Sequence, residues 1–264
     1  MYTALTIAGS DSIGGAGIQG DLKTFTVLGV YGMSVITAVT AQNTSGVSGV
    51  EILSPEIITK QIDAVASDFP VNAVKTGMLA NAEIISTVAE AIRKHSLDNY
   101  VCDPVVYSKT NVELLDASAI HTLRKELLPL ATIVTPNRME ASMLANMDVV
   151  DIGNVAGAKK AAEKIIKSGV RSVIVKGINL GDTIVDVFFD GDHFTEFPAK
   201  RLKTNNTHGS GCLFSAVITA MLAQEIELLT AIDHARSFVS QAIEHHVKLG
   251  SGIRPVNTLA LIPH

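Results

Sequence analysis

The sequence predicts an α/β protein with a largely parallel sheet covered on both faces, and three observations carry that expectation. Runs rich in Val, Ile and Ala alternate with stretches of helical periodicity along nearly the whole chain, and strands joined through helices lie side by side in parallel. Two glycine clusters, residues 14–17 and 209–211, each lead into a helical stretch, and such sheets bind ligands at the C-terminal ends of their strands. With 264 residues, 47% of them hydrophobic, the chain can bury a substantial core. Neither an internal repeat nor a linker interrupts it, so one domain spanning residues 1–264 is expected.

Residues 3–8 read as a short buried strand ending at Gly9-Ser10-Asp11, and residues 18–28 as a helix with Ile18, Leu22 and Phe25 on one face. Residues 31–42 are rich in β-branched side chains and form the next strand, with a short strand over 47–53. Pro55 opens a helix at its first turn, reaching about residue 67. A strand at 72–76, a helix at 82–94 and a strand at 100–103 stopped by Pro104 follow. A helix over 117–127, a strand over 131–134 and helices over 138–145 and 155–167 precede a strand at 172–176. Segments 184–189 and 193–197 flank Asp190-Gly191-Asp192, a hairpin signal. Residues 213–223 are apolar on nearly every face and read as a buried helix. In the last helix Leu228, Ile232, Ala235, Val239, Ala242, His246 and Leu249 recur at helical spacing.

The net charge of −5 and the lack of a Lys/Arg run argue against nucleic-acid binding. Apolar runs fall short of the roughly 20 residues that span a bilayer. The cysteines, Cys102 and Cys212, lie far apart and form no CxxC; free thiols without a leader pattern fit a reducing cytoplasm.

The chemistry concentrates in Asn205-Asn206-Thr207-His208-Gly209-Ser210-Gly211-Cys212. The first backbone N–H groups of a helix lack intrahelical partners and its dipole is positive there, so glycines at that point let a phosphate approach. Cys212 stands at the mouth of this anion site, where a helix N-terminus lowers a thiol's pKa and suits it as base or nucleophile. The opposing view is that Cys212 is a buried small hydrophobe; Cys102, inside an apolar strand, is read as structural. His208 is open between touching phosphate and supporting the turn. Gly15-Ala16-Gly17-Ile18-Gln19-Gly20 matches G-x-G-x-x-G, but it starts several residues past the strand and no acid lies in 38–45, against a dinucleotide site. Asp103, Asn137 with Glu140, and Lys176 fall just past strand ends. Each alone is commonly a cap or turn residue; together they supply two carboxylates for a hydrated magnesium and a cation for phosphates. Gln42 suits a neutral heterocycle or is a solvated loop residue. The sequence carries no P-loop, H-E-x-x-H or G-x-S-x-G motif.

Residues 5–11 with Gly14-Gly15-Ala16-Gly17-Ile18-Gln19, Ala41-Gln42-Asn43-Thr44, Lys75-Thr76-Gly77-Met78-Leu79, Asp103-Pro104-Val105, Thr135-Pro136-Asn137 with Glu140, Val175-Lys176-Gly177, residues 206–212, and Gly252 with Pro255-Val256-Asn257 together resemble the hydroxymethylpyrimidine/phosphomethylpyrimidine kinases of thiamine biosynthesis, in the ribokinase superfamily. The resemblance spans residues 4–257. It implies a ribokinase-like three-layer α/β/α sandwich, a homodimer, and MgATP-dependent phosphorylation of 4-amino-5-hydroxymethyl-2-methylpyrimidine and then of its monophosphate. It further implies that Gln42 binds the aminopyrimidine in a pocket lined by Gly9, Ala16, Asp21 and Met78. Asn137 and Lys176 meet the nucleotide phosphates, Asp103 and Glu140 the magnesium shell, Gly209, Ser210, Gly211 and Cys212 form the anion hole, and Cys212 takes the hydroxyl proton.

The chain departs from the family pattern at Ile13, Gly20, Ser210 and Arg254, and in the loop Tyr107-Ser108-Lys109-Thr110-Asn111-Val112. That loop keeps two rivals open: a pyridoxal kinase of the same cysteine type, which Asn206-Thr207-His208 disfavours, and a non-catalytic pyrimidine-binding sensor, which Asp103, Glu140, Lys176 and Cys212 disfavour.

Overall fold

The computed structural model describes residues 1–260 except 111 and 117, and residue 262. Among the described residues nine strands form one sheet in the order β3-β2-β1-β4-β5-β6-β7-β8-β9. They are β1 (Thr3–Asp11), β2 (Tyr31–Asn43), β3 (Gly46–Ile52), β4 (Ala73–Thr76), β5 (Tyr100–Cys102), β6 (Ile133–Val134), β7 (Val173–Asn179), β8 (Thr183–Phe189) and β9 (Phe194–Lys200). The inner six, β2-β1-β4-β5-β6-β7, are parallel. Antiparallel β3 closes one edge, and antiparallel β8 and β9 the other.

Among the described residues eight α-helices cover this sheet: α1 (Gly17–Val27), α2 (Pro55–Ala66), α3 (Ala82–Lys94), α4 (Ala119–Thr122), α5 (Arg138–Ala145), α6 (Val155–Ile166), α7 (Ser210–Ala223) and α8 (Leu228–Glu244). Strand alternation sorts the core into two layers. Leu5, Ile7, Val74, Tyr100, Val134, Val173 and Val175 face α2 to α6. Ala4, Ala73, Val101, Ile133 and Ile174 face α1, α7 and α8. This three-layer sandwich is the expected fold. Helix α7 lies between the sheet and its neighbours and buries nearly every side chain, which explains its lack of a polar face.

Several boundaries differ from the sequence reading: β7 runs on to Asn179, β9 to Lys200, and α7 starts at Ser210. The helix expected over 117–127 begins outside the described residues; the described part is α4 followed by a π turn (Leu123–Leu127) and a 3₁₀ turn (Leu128–Leu130). Pro129 cannot donate into an α-helical ladder, so the helix loosens before it. The last helix ends at Glu244 rather than running to Leu249. Tertiary contacts take the chain back across the sheet: Ile253 N–H donates to Thr44 O (2.8 Å) and Asn257 N–H to Ala242 O (2.9 Å). Strand β1 extends past Ala8 to Asp11 through a register shift opposite β2.

Candidate active site

From β1 the chain moves outward to β2, and β4 then returns on the other side of β1. The strand order therefore reverses between β1 and β4, which opens a crevice beyond their C-terminal ends. A cavity of about 660 Å³ fills that position, within the usual range for small-ligand sites. Its wall brings together Gly9, Ala16, Gln42, Met78, Asp103, Asn137, Glu140, Lys176 and residues Gly209, Ser210, Gly211 and Cys212.

The turn before α7 is fixed from several directions. Gly209 is its N-cap with φ 83°, a conformation glycine adopts without strain, and an added Cβ there would overlap the Gly15 carbonyl. Leu213 N–H donates to Gly209 O (2.8 Å), the first bond of the helix. The N–H groups of Gly211 and Cys212 precede that bond and have no acceptor within the helix. The C-terminal segment clamps His208 by backbone bonds to Arg254 and Val256, which places the Pro255-Val256-Asn257 motif. His208 Nε2 lies 2.8 Å from Asp11 Oδ2, so His208 supports the turn.

Asp11 also decides the role of the first glycine cluster. Its carboxylate accepts the N–H groups of Ile13, Gly15 and Ala16 at 3.2, 3.0 and 2.8 Å. Burial alone would raise this carboxyl, but the hydrogen bond and charge of His208, with the N–H groups of Ala16 and Ile13, hold it below the ordinary carboxylate range. Those N–H groups already hold an internal anion, so G-x-G-x-x-G here is a structural loop and not a dinucleotide cradle.

Cys212 corrects one expectation. Burial pushes its thiol up to about 11; Lys75 and the Gly17 N–H pull it down, while Asp21 and Asp103 push it further up. Desolvation and two carboxylates outweigh the helix N-terminus. The thiol therefore stands above its ordinary range, and its anionic form is reached as pH rises.

Asp103 follows β5 and is buried, accepting from Thr135 Oγ1 (3.1 Å) and Ser215 Oγ (3.0 Å), with Lys176 Nζ at 3.6 Å. Burial acts to raise its pKa, but Lys176, Lys75 and these hydroxyls keep it lowered. Asn137 and Glu140 form a reciprocal capping box on α5: Glu140 N–H donates to Asn137 Oδ1 (3.0 Å) and Asn137 N–H to Glu140 Oε2 (2.8 Å). Asn137 pairs with Lys176 through Lys176 N–H to Pro136 O (2.8 Å). Burial, then Asp103, pushes the Glu140 carboxyl up to about 7. A cation between the two would relieve both causes, and two carboxylate donors fit a magnesium that keeps most of its waters.

On the substrate side, Gln42 lies at the end of β2 with its N–H 3.3 Å from Ser12 Oγ. Met78 packs so closely on Gly9 that a Cβ there would sit 3.0 Å from its sulfur. Asp21 does not line the pocket. It is fully buried under the floor, accepting Thr6 Oγ1 (2.6 Å) and Lys75 Nζ (2.9 and 2.7 Å). The hydrophobic face of α1 turns it inward, where the buried Lys75 neutralises it.

Lys75 is itself a residue the sequence reading passed over as a functional group. Burial would lower its pKa, but Asp21, Cys212 and Asp103 raise it and keep it cationic beneath Cys212. A lysine inside the short strand β4, whose residues are all buried, is the available signal. Lys109 was also missed; its loop carries it into the cavity wall.

An anion turn, two metal-suited carboxylates and a cation around a cavity at the switch point of a ribokinase-like sandwich define a kinase. The model of the phosphomethylpyrimidine kinase family matches residues 11–257. A hydroxymethylpyrimidine/phosphomethylpyrimidine kinase of Rhizobium meliloti is 46% identical over 257 residues, 96% of each chain. An ADP complex of Bacillus subtilis pyridoxal kinase superposes with a TM-score of 0.91 at 39% identity, covering 99% of this chain and 98% of that one. A phosphomethylpyrimidine kinase of Clostridium difficile 630 does so at 0.81 and 42%, covering 92% and 100%. The chain belongs to the phosphomethylpyrimidine kinase family.

Proposed function

We propose that the protein phosphorylates 4-amino-5-hydroxymethyl-2-methylpyrimidine at its hydroxymethyl group and then converts the monophosphate to the diphosphate, with MgATP as donor, in thiamine biosynthesis. The observation that carries this is that Cys212, at the N-terminus of α7, lines one cavity together with Gln42 and Met78 and with Asn137 and Lys176. The hydroxyl lies between the Cys212 sulfur and the γ-phosphate. Its oxygen forms the new P–O bond as the bond from the γ-phosphorus to the bridging oxygen breaks, and ADP leaves. The N–H groups of Gly211 and Cys212 stabilise charge on the transferred group. Asn137 and Lys176 hold the phosphate chain. Asp103 and Glu140 would hold magnesium, which would supply charge neutralisation along that chain. The thiolate form of Cys212 accepts the hydroxyl proton. The enzyme works as a cytoplasmic homodimer; for the described residues, no helix is long and apolar enough to cross a membrane.

A pyridoxal kinase is the second reading, favoured by the close superposition on the Bacillus subtilis enzyme. Incubation with MgATP and, separately, hydroxymethylpyrimidine, its monophosphate and pyridoxal, with products identified by mass, decides between them. Mono- and diphosphate from the pyrimidines support the proposal. Pyridoxal phosphate as the sole product overturns it, and absence of any product favours a binding protein.

A further inference from the structure

Lys109 sits on the loop after β5, and that loop is built to hold it. Ser108 N–H donates to Val112 O (2.8 Å), Val112 N–H to Ser108 Oγ (3.0 Å), and Leu114 N–H to Val106 O (2.8 Å). Thr110 Oγ1 lies 3.0 Å from Ser108 Oγ and close to Gly46 at the β2–β3 turn. The loop thus reaches from β5 toward the substrate side, with Lys109 in the cavity wall.

The other two lysines near Cys212 are committed. Lys75 is bound to Asp21 at 2.7 Å, and Lys176 stands 3.6 Å from Asp103. Among the described residues, no carboxylate pairs with Lys109. Burial and then Lys176 act against its charge, while Glu140, Cys212 and Asp103 support it through space, and an arriving anion adds to that support.

The two reactions differ in one respect that such a cation would read. The first acceptor is a neutral hydroxyl. The second is a phosphate carrying about −1.5 to −2 charges at neutral pH, and it must approach an anionic γ-phosphate. Its attacking oxygen is already ionised, forms the bond to the γ-phosphorus and releases ADP without a base; what it needs is a further positive charge on the acceptor side.

We propose that Lys109 binds the phosphate of the monophosphate substrate and so determines the second phosphorylation specifically. The inference rests on the kinase reading above. The test compares kcat/KM for hydroxymethylpyrimidine and for its monophosphate in the wild type, Lys109→Met and Lys109→Arg, with calorimetric binding of the monophosphate to the nucleotide-free enzyme alongside. The expected result for Lys109→Met is a fall of about 30-fold or more in the ratio of second-step to first-step kcat/KM, carried by KM. Monophosphate binding weakens to a similar degree, and Lys109→Arg restores both to within a few-fold. Equal loss in both steps overturns the inference, because Lys109 then acts on the transferred phosphoryl group or merely holds the loop. An unchanged ratio with unchanged binding overturns it as well. Failure of the wild type on both pyrimidines defeats the kinase reading, and the binding arm still decides whether Lys109 holds the phosphate.

Discussion

Replacing Glu140 by glutamine separates the carboxyl's charge from its structural work. The glutamine oxygen can still accept the Asn137 N–H, so the capping box survives. The carboxyl's pKa rises from an ordinary 4.5 to about 7 on folding, through burial and Asp103. A group whose folded pKa is raised binds its proton more tightly in the folded state, so stability is lost as pH rises from 4.5 to about 7. At 1.36 kcal/mol per pH unit the liability is about 3 kcal/mol at pH 8 and about 1 kcal/mol at pH 5. Glu140→Gln removes it. Urea unfolding without metal should therefore find the variant more stable by about 3 kcal/mol at pH 8, a rise in melting temperature of very roughly 5–10 °C, and by much less at pH 5. Added magnesium should stabilise the wild type at pH 8 and leave the variant unmoved. Equal stability differences at the two pH values would refute the raised carboxyl, and magnesium stabilisation of the variant would refute the metal assignment.

Cys212→Ala should retain nucleotide affinity and lose most turnover on hydroxymethylpyrimidine, with far less effect on the monophosphate, whose acceptor oxygen needs no base. The wild-type first step should quicken as pH rises from 7 to 9, because burial holds the thiol up at about 11; a flat profile, or near-normal turnover in the variant, would discard the base assignment. Lys75→Met strands the buried Asp21 carboxylate and should destabilise the fold by about 3–5 kcal/mol in denaturant unfolding. Pairing it with Asp21→Leu should recover much of that loss, and a double variant no more stable than the single would contradict the ion-pair account.

Much of the site was legible because its signals are local. Gly209 caps an apolar helix and Gly211 and Cys212 open its first turn, and a helix N-terminus has its anion-binding character wherever it lies. Asn137 with Glu140 is a capping box at fixed spacing. Asp103 follows the apolar strand β5, and Lys176 lies within β7 where its pairing with β8 is interrupted; the sequence reading ends that strand at Lys176, and the C-terminal ends of parallel strands point to one edge. Gln42 and Met78 took their roles from the family resemblance, since nothing in their own neighbourhoods specifies a pyrimidine.

The alternation of strands and helices, the two-sided core and the anion turn are written into local sequence, because periodicity and N-terminal helix geometry depend on neighbours within a few residues. The tertiary structure alone decided what long-range charge and desolvation do. It set Asp21 beneath the floor on Lys75, 54 residues away, and closed Asp11 onto His208 across 197 residues. It turned the Cys212 thiol from an expected low pKa to a high one and brought Lys109 to the cavity. Burial and through-space charge arise from which segments meet, and no short stretch of sequence contains that information.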